Sequence, residues 1–189
     1  MSARRPTREE LLAAYATTIP DLGGPDTEIL LVGINPSLYS GWSGQHFARP
    51  GNRLWRTLRL AGLTAELLEP GDEPAIRAAG LGITNLVARA TARADELTDD
   101  EVRAGVEPLR NLVRRWRPRF VAFLGISTYR IAFAVPKAVV GEQAVTFEGA
   151  RTWVLPNPSG LNAHYQQPAL TAAYAELRKA ATATAAAGH

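Results

Sequence analysis

Short apolar runs recur along the chain, and each one ends abruptly in a polar turn. Four such runs, at about residues 28–34, 80–87, 120–124 and 151–155, have the length of buried strands. Strands that are apolar throughout are typical of sheets covered on both faces. Segments with helical spacing lie between the runs. The pattern therefore predicts an α/β protein, a three-layer α/β/α domain with a mainly parallel central sheet.

The segments between these strands are assigned from the spacing of their apolar residues. Helices are predicted at about 7–18, from Leu54 onward, and at 98–116, 127–134 and 168–180. A further strand is predicted at 143–147, and the glycine-rich segment 35–52 is predicted to be a long functional loop. We expect one domain over residues 1–189, with a helix and linker in 1–27 and a frayed tail at 181–189.

Two of the predicted strands lead into related turns. The first is followed by Asn-Pro-Ser at 35–37, and the last is followed by Asn-Pro-Ser-Gly at 157–160. Carboxyl ends of parallel strands lie at one edge of a sheet, and ligands bind in the crevice beyond that edge. The two turns are therefore expected to form two walls of one active site.

Composition narrows the chemistry that such a site can perform. Cysteine is absent, which excludes disulfides, iron–sulfur clusters and a thiol nucleophile. The three histidines lack the spacing of metal ligands, so no metal is expected. The chain has neither a Gly-x-x-x-x-Gly-Lys-Ser/Thr phosphate loop nor a Gly-x-Gly-x-x-Gly fingerprint, so no nucleotide cofactor is expected. No run approaches the roughly 20 uncharged apolar residues of a membrane span, and the charged N-terminus lacks a signal-peptide core. We expect a cytoplasmic protein without a membrane partner.

The cations of the chain are almost all arginine. The net charge is +3, and lysine occurs only at Lys137 and Lys179. Arginine favours bidentate contact with phosphates and guanine edges, but a genome rich in Ala, Gly and Arg codons explains the same bias. Charge alone therefore does not show whether the arginines bind nucleic acid or reflect the base composition of the genome.

Four motifs occur in order along the chain: GINP at 33–36, FARPGNRLW at 47–55, GITNLV at 82–87 and LPNPSGL at 155–161. This series resembles the mismatch-specific uracil-DNA glycosylases, relatives of thymine-DNA glycosylase within the uracil-DNA glycosylase superfamily. The resemblance extends from about residue 28 to residue 177.

The resemblance implies a DNA repair enzyme of base excision repair, associated with the nucleoid. It would act as a monomer on double-stranded DNA, hydrolysing the N-glycosidic bond of uracil, or of a related damaged base, mispaired with guanine. The base is first flipped out of the stack, and an abasic site remains after water attack. Because neither lysine lies near a motif, a monofunctional enzyme without a Schiff base is expected.

Two residues are assigned to catalysis. Asn35 matches the asparagine of the first motif. Its carboxamide is no general base near neutral pH, but its oxygen can orient a water. Asp95 lies between a predicted strand and helix, and is the candidate general base that would assist Asn35. For Asp95, an acidic surface turn before a helix is the alternative.

The remaining site residues are assigned to the flipped base and to the DNA. Phe47 matches an aromatic residue that stacks on the base, and Gly33, Ile34 and Asn157 would line the pocket. Asn52 and Arg53 begin a helix, where a cap and a surface cation are favoured. The residues assigned to DNA binding are Ser159, Gly160, the intercalating wedge Leu161, Asn162, His164, Thr84 and Asn85.

The chain departs from the family pattern at two points. Ser37 stands where the family's first motif has glycine, and Asn162 begins the segment that replaces a Ser-Arg pair, so that His164 or Tyr165 would grip the opposite strand. Other functions remain open: a damage-binding protein with little activity, a glycosylase for another deaminated or alkylated base, or a hydrolase of nucleosides or small molecules.

Overall fold

The central sheet contains five strands, and four of them run parallel. A computed structural model describes residues 4–160 and 165–186, with side chains through residue 183. The strands are β1 (Ile29–Gly33), β2 (Leu81–Asn85), β3 (Phe120–Leu124), β4 (Gly141–Glu142) and β5 (Arg151–Leu155). They are arranged in the order β2-β1-β3-β5-β4, and β4 is an antiparallel edge strand.

Helices cover both faces of this sheet. They are α1 (Arg8–Ala13), α2 (Leu38–Ser43), α3 (Leu54–Leu60), α4 (Glu73–Ala78), α5 (Asp99–Ala104), α6 (Val106–Trp116), α7 (Ile126–Phe133) and α8 (Gln167–Ala186), with a 3₁₀ turn at Ala94–Glu96. None of the helices that the structure describes is both long and apolar enough to cross a bilayer.

The core has two halves, one on each face of the sheet. Successive side chains of a strand point to opposite faces. Ile29 and Leu31 therefore pack against α3 and α8, whereas Leu30 and Val32 pack against α6 and α7. All five residues of β1 are buried, which explains why the strand is a continuous apolar run. The predicted α/β/α architecture is confirmed.

The segment predicted as one long loop at 35–52 contains helix α2. Ser37 forms its N-cap, since the Ser37 hydroxyl accepts a hydrogen bond from the Ser40 amide at 3.2 Å. Gly44 ends the helix in the left-handed conformation, with φ of 70°. Gly41 lies within this short helix, and its low helix propensity explains why the sequence did not indicate a helix there.

The helix predicted at 98–116, with Gly105 and Pro108 as the residues that could bend it, is divided at Gly105 into α5 and α6. An added Cβ at Gly105 would collide with the backbone of Leu86, so glycine permits this close approach. Pro108 lies in the first turn of α6, where the missing N–H costs little.

Two other predictions at element level were wrong, and one helix was not predicted. The strand expected at 143–147 is absent from the described structure: β4 ends at Glu142, and Glu148 and Gly149 form a turn with positive φ. Helix α4 was missed. The last helix continues to Ala186 instead of ending near residue 180, because alanine is the strongest helix former.

Candidate active site

A cleft of about 660 Å³ lies beyond the carboxyl ends of the parallel strands. Its walls come from the segments that follow β1, β3 and β5, together with residues 91–95. The chain runs from β1 to β2 on one side and returns to β3 on the other, so the strand order reverses between β1 and β3. The cleft opens at this switch point, where open α/β sheets bind ligands.

A narrow slot forms where Phe47 and Asn85 converge over Gly33. A Cβ added at Gly33 would lie 2.6 Å from Asn85 Oδ1 and 3.0 Å from Phe47 Cζ. Gly33 ends β1 and is paired with Asn85 at the end of β2. Glycine at this position therefore permits an aromatic ring and a carboxamide to approach the end of β1 closely, at the wall of the cleft.

The backbone of Phe47 is strained. Its φ is 51°, a left-handed conformation that non-glycine residues rarely adopt. The Trp55 indole N–H donates to the Phe47 carbonyl oxygen at 3.3 Å and helps to hold it. Such strain persists only where surrounding contacts determine the conformation, and it clusters at functional sites.

Asn85 is oriented by a buried histidine. His46 Nε2 lies 2.8 Å from the carbonyl oxygen of Pro20, which only accepts, so Nε2 carries the proton. His46 Nδ1 then accepts from Asn85 Nδ2 at 3.2 Å, leaving Asn85 Oδ1 over Gly33. Burial lowers the pKa of His46 and so favours the neutral imidazole. The hydrogen bond to Pro20 and the charge of Asp21 oppose this effect but do not outweigh it.

The carboxamide of Asn35 is fixed by two hydrogen bonds. Asn35 Nδ2 donates to the carbonyl oxygen of Arg89 at 3.0 Å and to the Thr91 hydroxyl at 2.7 Å. Because a carbonyl oxygen only accepts, the group that faces Arg89 must be the NH₂ group. Asn35 Oδ1 is therefore the polar atom of this amide available to the cleft that Asn35 lines.

The segment that holds Asn35 is itself anchored. Arg89 makes a bidentate ion pair with Glu101, at 2.6 Å from Nε and 3.1 Å from Nη2. This contact lowers the pKa of Glu101 to about 2. The hydrogen bonds of Thr98 to the Glu101 carboxylate further fix its position. The main chain at residues 89–91 thus has a rigid support on α5.

Asp95 lies at the rim of the cleft. Its carboxylate is paired with Arg93, and the two side chains are 62% and 74% exposed. Among the described residues that line the cleft, Asp95 alone carries a carboxylate. Arg49 and Arg93 contribute positive charge to the same rim.

The second turn forms the opposite wall. The Ser159 amide donates to Asn157 Oδ1 at 2.9 Å, which closes the turn locally. Gly160 approaches Gly51 so closely that an added Cβ would lie 2.7 Å from the Gly51 carbonyl oxygen. Asn157, Ser159 and Tyr165 line the cleft.

Arg53 connects the second turn to Tyr165, which lies on the same wall of the cleft. Its guanidinium donates to the carbonyl oxygens of Ser159 and Tyr165, both at 2.7 Å. Its amide N–H also donates to the carbonyl oxygen of Pro158 at 3.0 Å. Arg53 is therefore a structural contact of the second turn, and the expectation of a surface cation was wrong.

The structure brings most of the predicted site residues to this cleft. They are Gly33, Ile34, Asn35, Phe47, Asn85, Asp95, Asn157 and Ser159. Gly160 adjoins the wall next to Gly51. Leu161, Asn162 and His164 lie outside the described residues.

Thr84 does not fit the DNA contact predicted for it. The side chain is buried, with the residue 3% exposed, and its hydroxyl donates to Asp21. Alternation along β2 explains the difference: Asn85 reaches the cleft, whereas Thr84 points into the protein. Tyr39 and Trp42, in the predicted loop, contact each other on α2 and are not among the residues that line the cleft.

Three important residues were not assigned a site role from sequence. Thr91, His46 and Arg53 act through partners more than 25 positions away, so no local pattern reveals them. Two signals were available: Arg53 lies within the motif at 47–55, and His46 immediately precedes that motif. Within the described residues, no cluster of three or more His, Asp or Glu side chains is arranged to hold a metal ion.

Together, the parallel sheet, the cleft at its switch point and the slot over Gly33 define an α/β protein with a candidate ligand site at the carboxyl edge of its sheet. A family model of the uracil DNA glycosylase superfamily matches residues 20–179. The chain belongs to this superfamily.

A solved structure shares this fold. It is the solution NMR structure of a candidate uracil DNA glycosylase from Methanosarcina acetivorans, with a TM-score of 0.60 and 20% sequence identity. The match covers 86% of this chain and 98% of the other. At this level of identity, the likeness concerns the fold.

Proposed function

We propose that the chain is a monofunctional DNA glycosylase that hydrolyses the N-glycosidic bond of uracil mispaired with guanine in double-stranded DNA. The observation that carries this proposal is the Asn35 carboxamide, whose NH₂ group is committed to Arg89 and Thr91 so that its oxygen is available to the cleft. Membership of the superfamily supplies the class of reaction. The ordered motifs favour its mismatch-specific branch.

The slot over Gly33 is the proposed site of the flipped base. Phe47 would stack on the ring, a contact worth roughly 1–3 kcal/mol per base in single-stranded systems. Asn85 offers an acceptor, Oδ1, beside a donor, Nδ2. Uracil presents the complementary pair, an N–H next to a carbonyl oxygen, so Asn85 would read the base edge rather than the DNA backbone.

Water attack is assigned to Asn35 and Asp95. Asn35 Oδ1 would accept a hydrogen bond from the water and direct its oxygen to C1′ of the sugar. A new C1′–O bond forms, the bond to the base nitrogen breaks, and its electron pair leaves with the uracil anion. Asp95 would accept the proton of the water, since it is the cleft's carboxylate among the described residues. Positioning and charge stabilisation would dominate the rate.

A monofunctional reaction is supported by the placement of the lysines. Neither Lys137 nor Lys179 is among the residues that line the cleft, and Lys179 pairs with Glu176 on α8. Without an amine at the site, no Schiff base with C1′ forms, and the product is an abasic site with an intact strand.

Double-stranded DNA would be gripped at the rim. Arg49 and Arg93 are placed to contact phosphates, while the second turn at 157–160 approaches the gap that the flipped base leaves. Flipping costs a few kcal/mol and is cheapest at a mismatch, which favours G·U over A·U pairs. We further propose action as a monomer in the cytoplasm.

The test is single-turnover uracil release from oligonucleotides that are identical except for a G·U pair, an A·U pair or unpaired uracil. Wild-type protein is expected to release uracil fastest from the mismatched duplex, and Asn35→Ala is expected to lose about 100-fold in rate with duplex binding retained. Binding of a G·U duplex without release from any substrate would refute the uracil glycosylase and favour either a damage-binding protein or a glycosylase for another deaminated or alkylated base. Release from free nucleosides would favour a small-molecule hydrolase.

A further inference from the structure

We propose that Thr91 is a positioning residue for hydrolysis, which acts by holding the plane of the Asn35 carboxamide. The inference rests on the proposed function, since it concerns the atom that would orient the water. It adds a residue outside the four sequence motifs, on a segment that follows β2 and is bridged to the first turn at Ser37.

The direction of each hydrogen bond at Thr91 follows from its partners. Thr91 Oγ1 lies 2.8 Å from the carbonyl oxygen of Arg93, which only accepts, so the single hydroxyl proton is donated there. The same oxygen must then accept from Asn35 Nδ2, at 2.7 Å. The result is a directed chain from Asn35 through the Thr91 hydroxyl to the Arg93 carbonyl oxygen.

Two bonds are needed to hold the amide. The bond from Asn35 to the Arg89 carbonyl oxygen fixes which atom is nitrogen, but one bond permits the amide plane to rotate about it. The Thr91 hydroxyl engages the second N–H and removes this freedom. Displacement of a catalytic group by about 1 Å can cost 100-fold in rate, so the plane of the amide matters.

Thr91 is well placed for this role because its backbone is tied to the same turn. Its amide N–H donates to the Pro36 carbonyl oxygen at 3.1 Å, and its carbonyl oxygen accepts from the Leu38 amide at 3.1 Å. The residue is 1% exposed. Replacing the side chain therefore leaves the main-chain contacts in place and changes the hydroxyl alone.

The proposal predicts a specific pattern among three variants. Thr91→Val, which has nearly the same shape, should lower single-turnover release from a G·U duplex about tenfold, the loss expected from one hydrogen bond. Affinity for the duplex should stay within about twofold, since Thr91 acts on the bond-breaking step. Thr91→Ser restores the hydroxyl and should recover most of the rate.

Thr64→Val is the matched control. Thr64 is also buried, at 4% exposure, and donates to a backbone carbonyl oxygen, that of Glu66, away from the cleft. It should lose stability comparably to Thr91→Val while retaining wild-type release. A thermal midpoint for each variant identifies losses that arise from unfolding.

A double-mutant cycle tests whether Thr91 acts through Asn35. In the Asn35→Ala background, Thr91→Val should cause no further loss, because the amide it positions is absent. The same tenfold loss in both backgrounds would overturn the proposal, as would a wild-type rate for Thr91→Val in the native background.

A nuclear magnetic resonance measurement separates this proposal from the proposed function. In wild-type protein, both side-chain N–H protons of Asn35 are hydrogen-bonded and should exchange slowly with solvent. One of them should exchange faster in Thr91→Val and return to slow exchange in Thr91→Ser. Unchanged exchange in Thr91→Val refutes the positioning role, whereas absence of uracil release by wild-type protein refutes the function and leaves this readout intact.

Discussion

Arg53 and Tyr165 are far apart in sequence but joined by a hydrogen bond of 2.7 Å from the guanidinium to the Tyr165 carbonyl oxygen. The other arm of the guanidinium donates to the Ser159 carbonyl oxygen at the same distance. These two oxygens lie on either side of residues 160–164. Arg53 therefore sets the separation between the two ends of that segment, at the rim of the cleft.

This relationship predicts a defect that depends on the DNA substrate. Arg53→Lys keeps the charge but replaces a planar fork by a single ammonium group, which cannot hold both oxygens in the same geometry. Uracil release from a G·U duplex should fall about tenfold, and release from single-stranded uracil should fall less, because single-stranded uracil needs no flipping.

The exposed Arg56 on the same helix provides the control. Arg56→Lys should leave the ratio of duplex to single-stranded rates unchanged. Equal losses of Arg53→Lys on both substrates would show that the contact supports general stability only.

Gly33 should be required for activity more than for folding. Gly33→Ala adds a Cβ that would lie 2.6 Å from Asn85 Oδ1 and 3.0 Å from Phe47 Cζ, so it occupies the slot between them. The clashing atoms lie at the far ends of two side chains and not in the main chain, so a shift of these side chains can relieve the clash at a small cost in stability. Uracil release should fall at least about 100-fold, with a small change in thermal midpoint.

Gly62→Ala gives the opposite pattern. Gly62 has φ of 73° and nothing within 4 Å of an added Cβ. Strain in the left-handed region should cost about 1 kcal/mol of stability, while release stays at the wild-type rate. If Gly33→Ala retained activity, the flipped base would not bind over Gly33.

The sequence predicted the sheet well because burial on both faces produces apolar runs such as β1. It failed where short-range signals were weak or misleading. Helix α2 contains a glycine, which hides its helical pattern. The run at 143–147 alternates like a strand, but the described structure has no strand there and the chain turns at Glu148 and Gly149.

Most of the predicted site residues lie in motifs, but a motif does not reveal every role within it, as Arg53 in the motif at 47–55 shows. Asn35 and Phe47 were assigned from their motifs. Thr91 and Arg53 contribute through hydrogen bonds to partners more than 50 positions away, and such contacts arise from the topology of the sheet. Thr84 and Asn85 lie in one motif, but only Asn85 lines the cleft, whereas the Thr84 side chain is buried. The motif alone does not show which of the two neighbours reaches the cleft.

Asp95→Asn tests whether a carboxylate accepts the proton of the attacking water. The substitution keeps the size of the side chain but removes its basicity, so single-turnover release from a G·U duplex should fall about 100-fold, as for loss of a general base. Asp100→Asn is the matched control, because this 94% exposed carboxylate pairs with Arg103 away from the cleft. A wild-type rate for Asp95→Asn would leave Asn35 as the only catalytic residue of the proposal.

Stability should decrease as the pH falls from about 7.5 to about 5, and His46 should be a cause. Burial lowers the pKa of His46 below its ordinary value of 6.5, so the unfolded chain binds the proton more readily than the folded protein. The contribution of His46 to stability is fully present above pH 6.5. It is lost as the pH falls from 6.5 toward the pKa of His46 in the folded protein. The pKa of Glu101 is lowered to about 2, so its contribution to stability is lost only below pH 4.5. That loss lies outside the range from about pH 7.5 to about pH 5.

The measurement is the thermal midpoint of wild-type protein and His46→Gln at both pH values. Glutamine can still donate to the Pro20 carbonyl oxygen and accept from Asn85, but it does not titrate. The decrease on acidification should therefore be smaller in the variant, while the two other histidines are common to both proteins. Uracil release by wild-type protein should fall only as the pH approaches the lowered pKa of folded His46, because a protonated Nδ1 would repel the Asn85 NH₂ group and displace Asn85 from the slot. An identical pH dependence of stability in both proteins would mean that folding does not lower the pKa of His46.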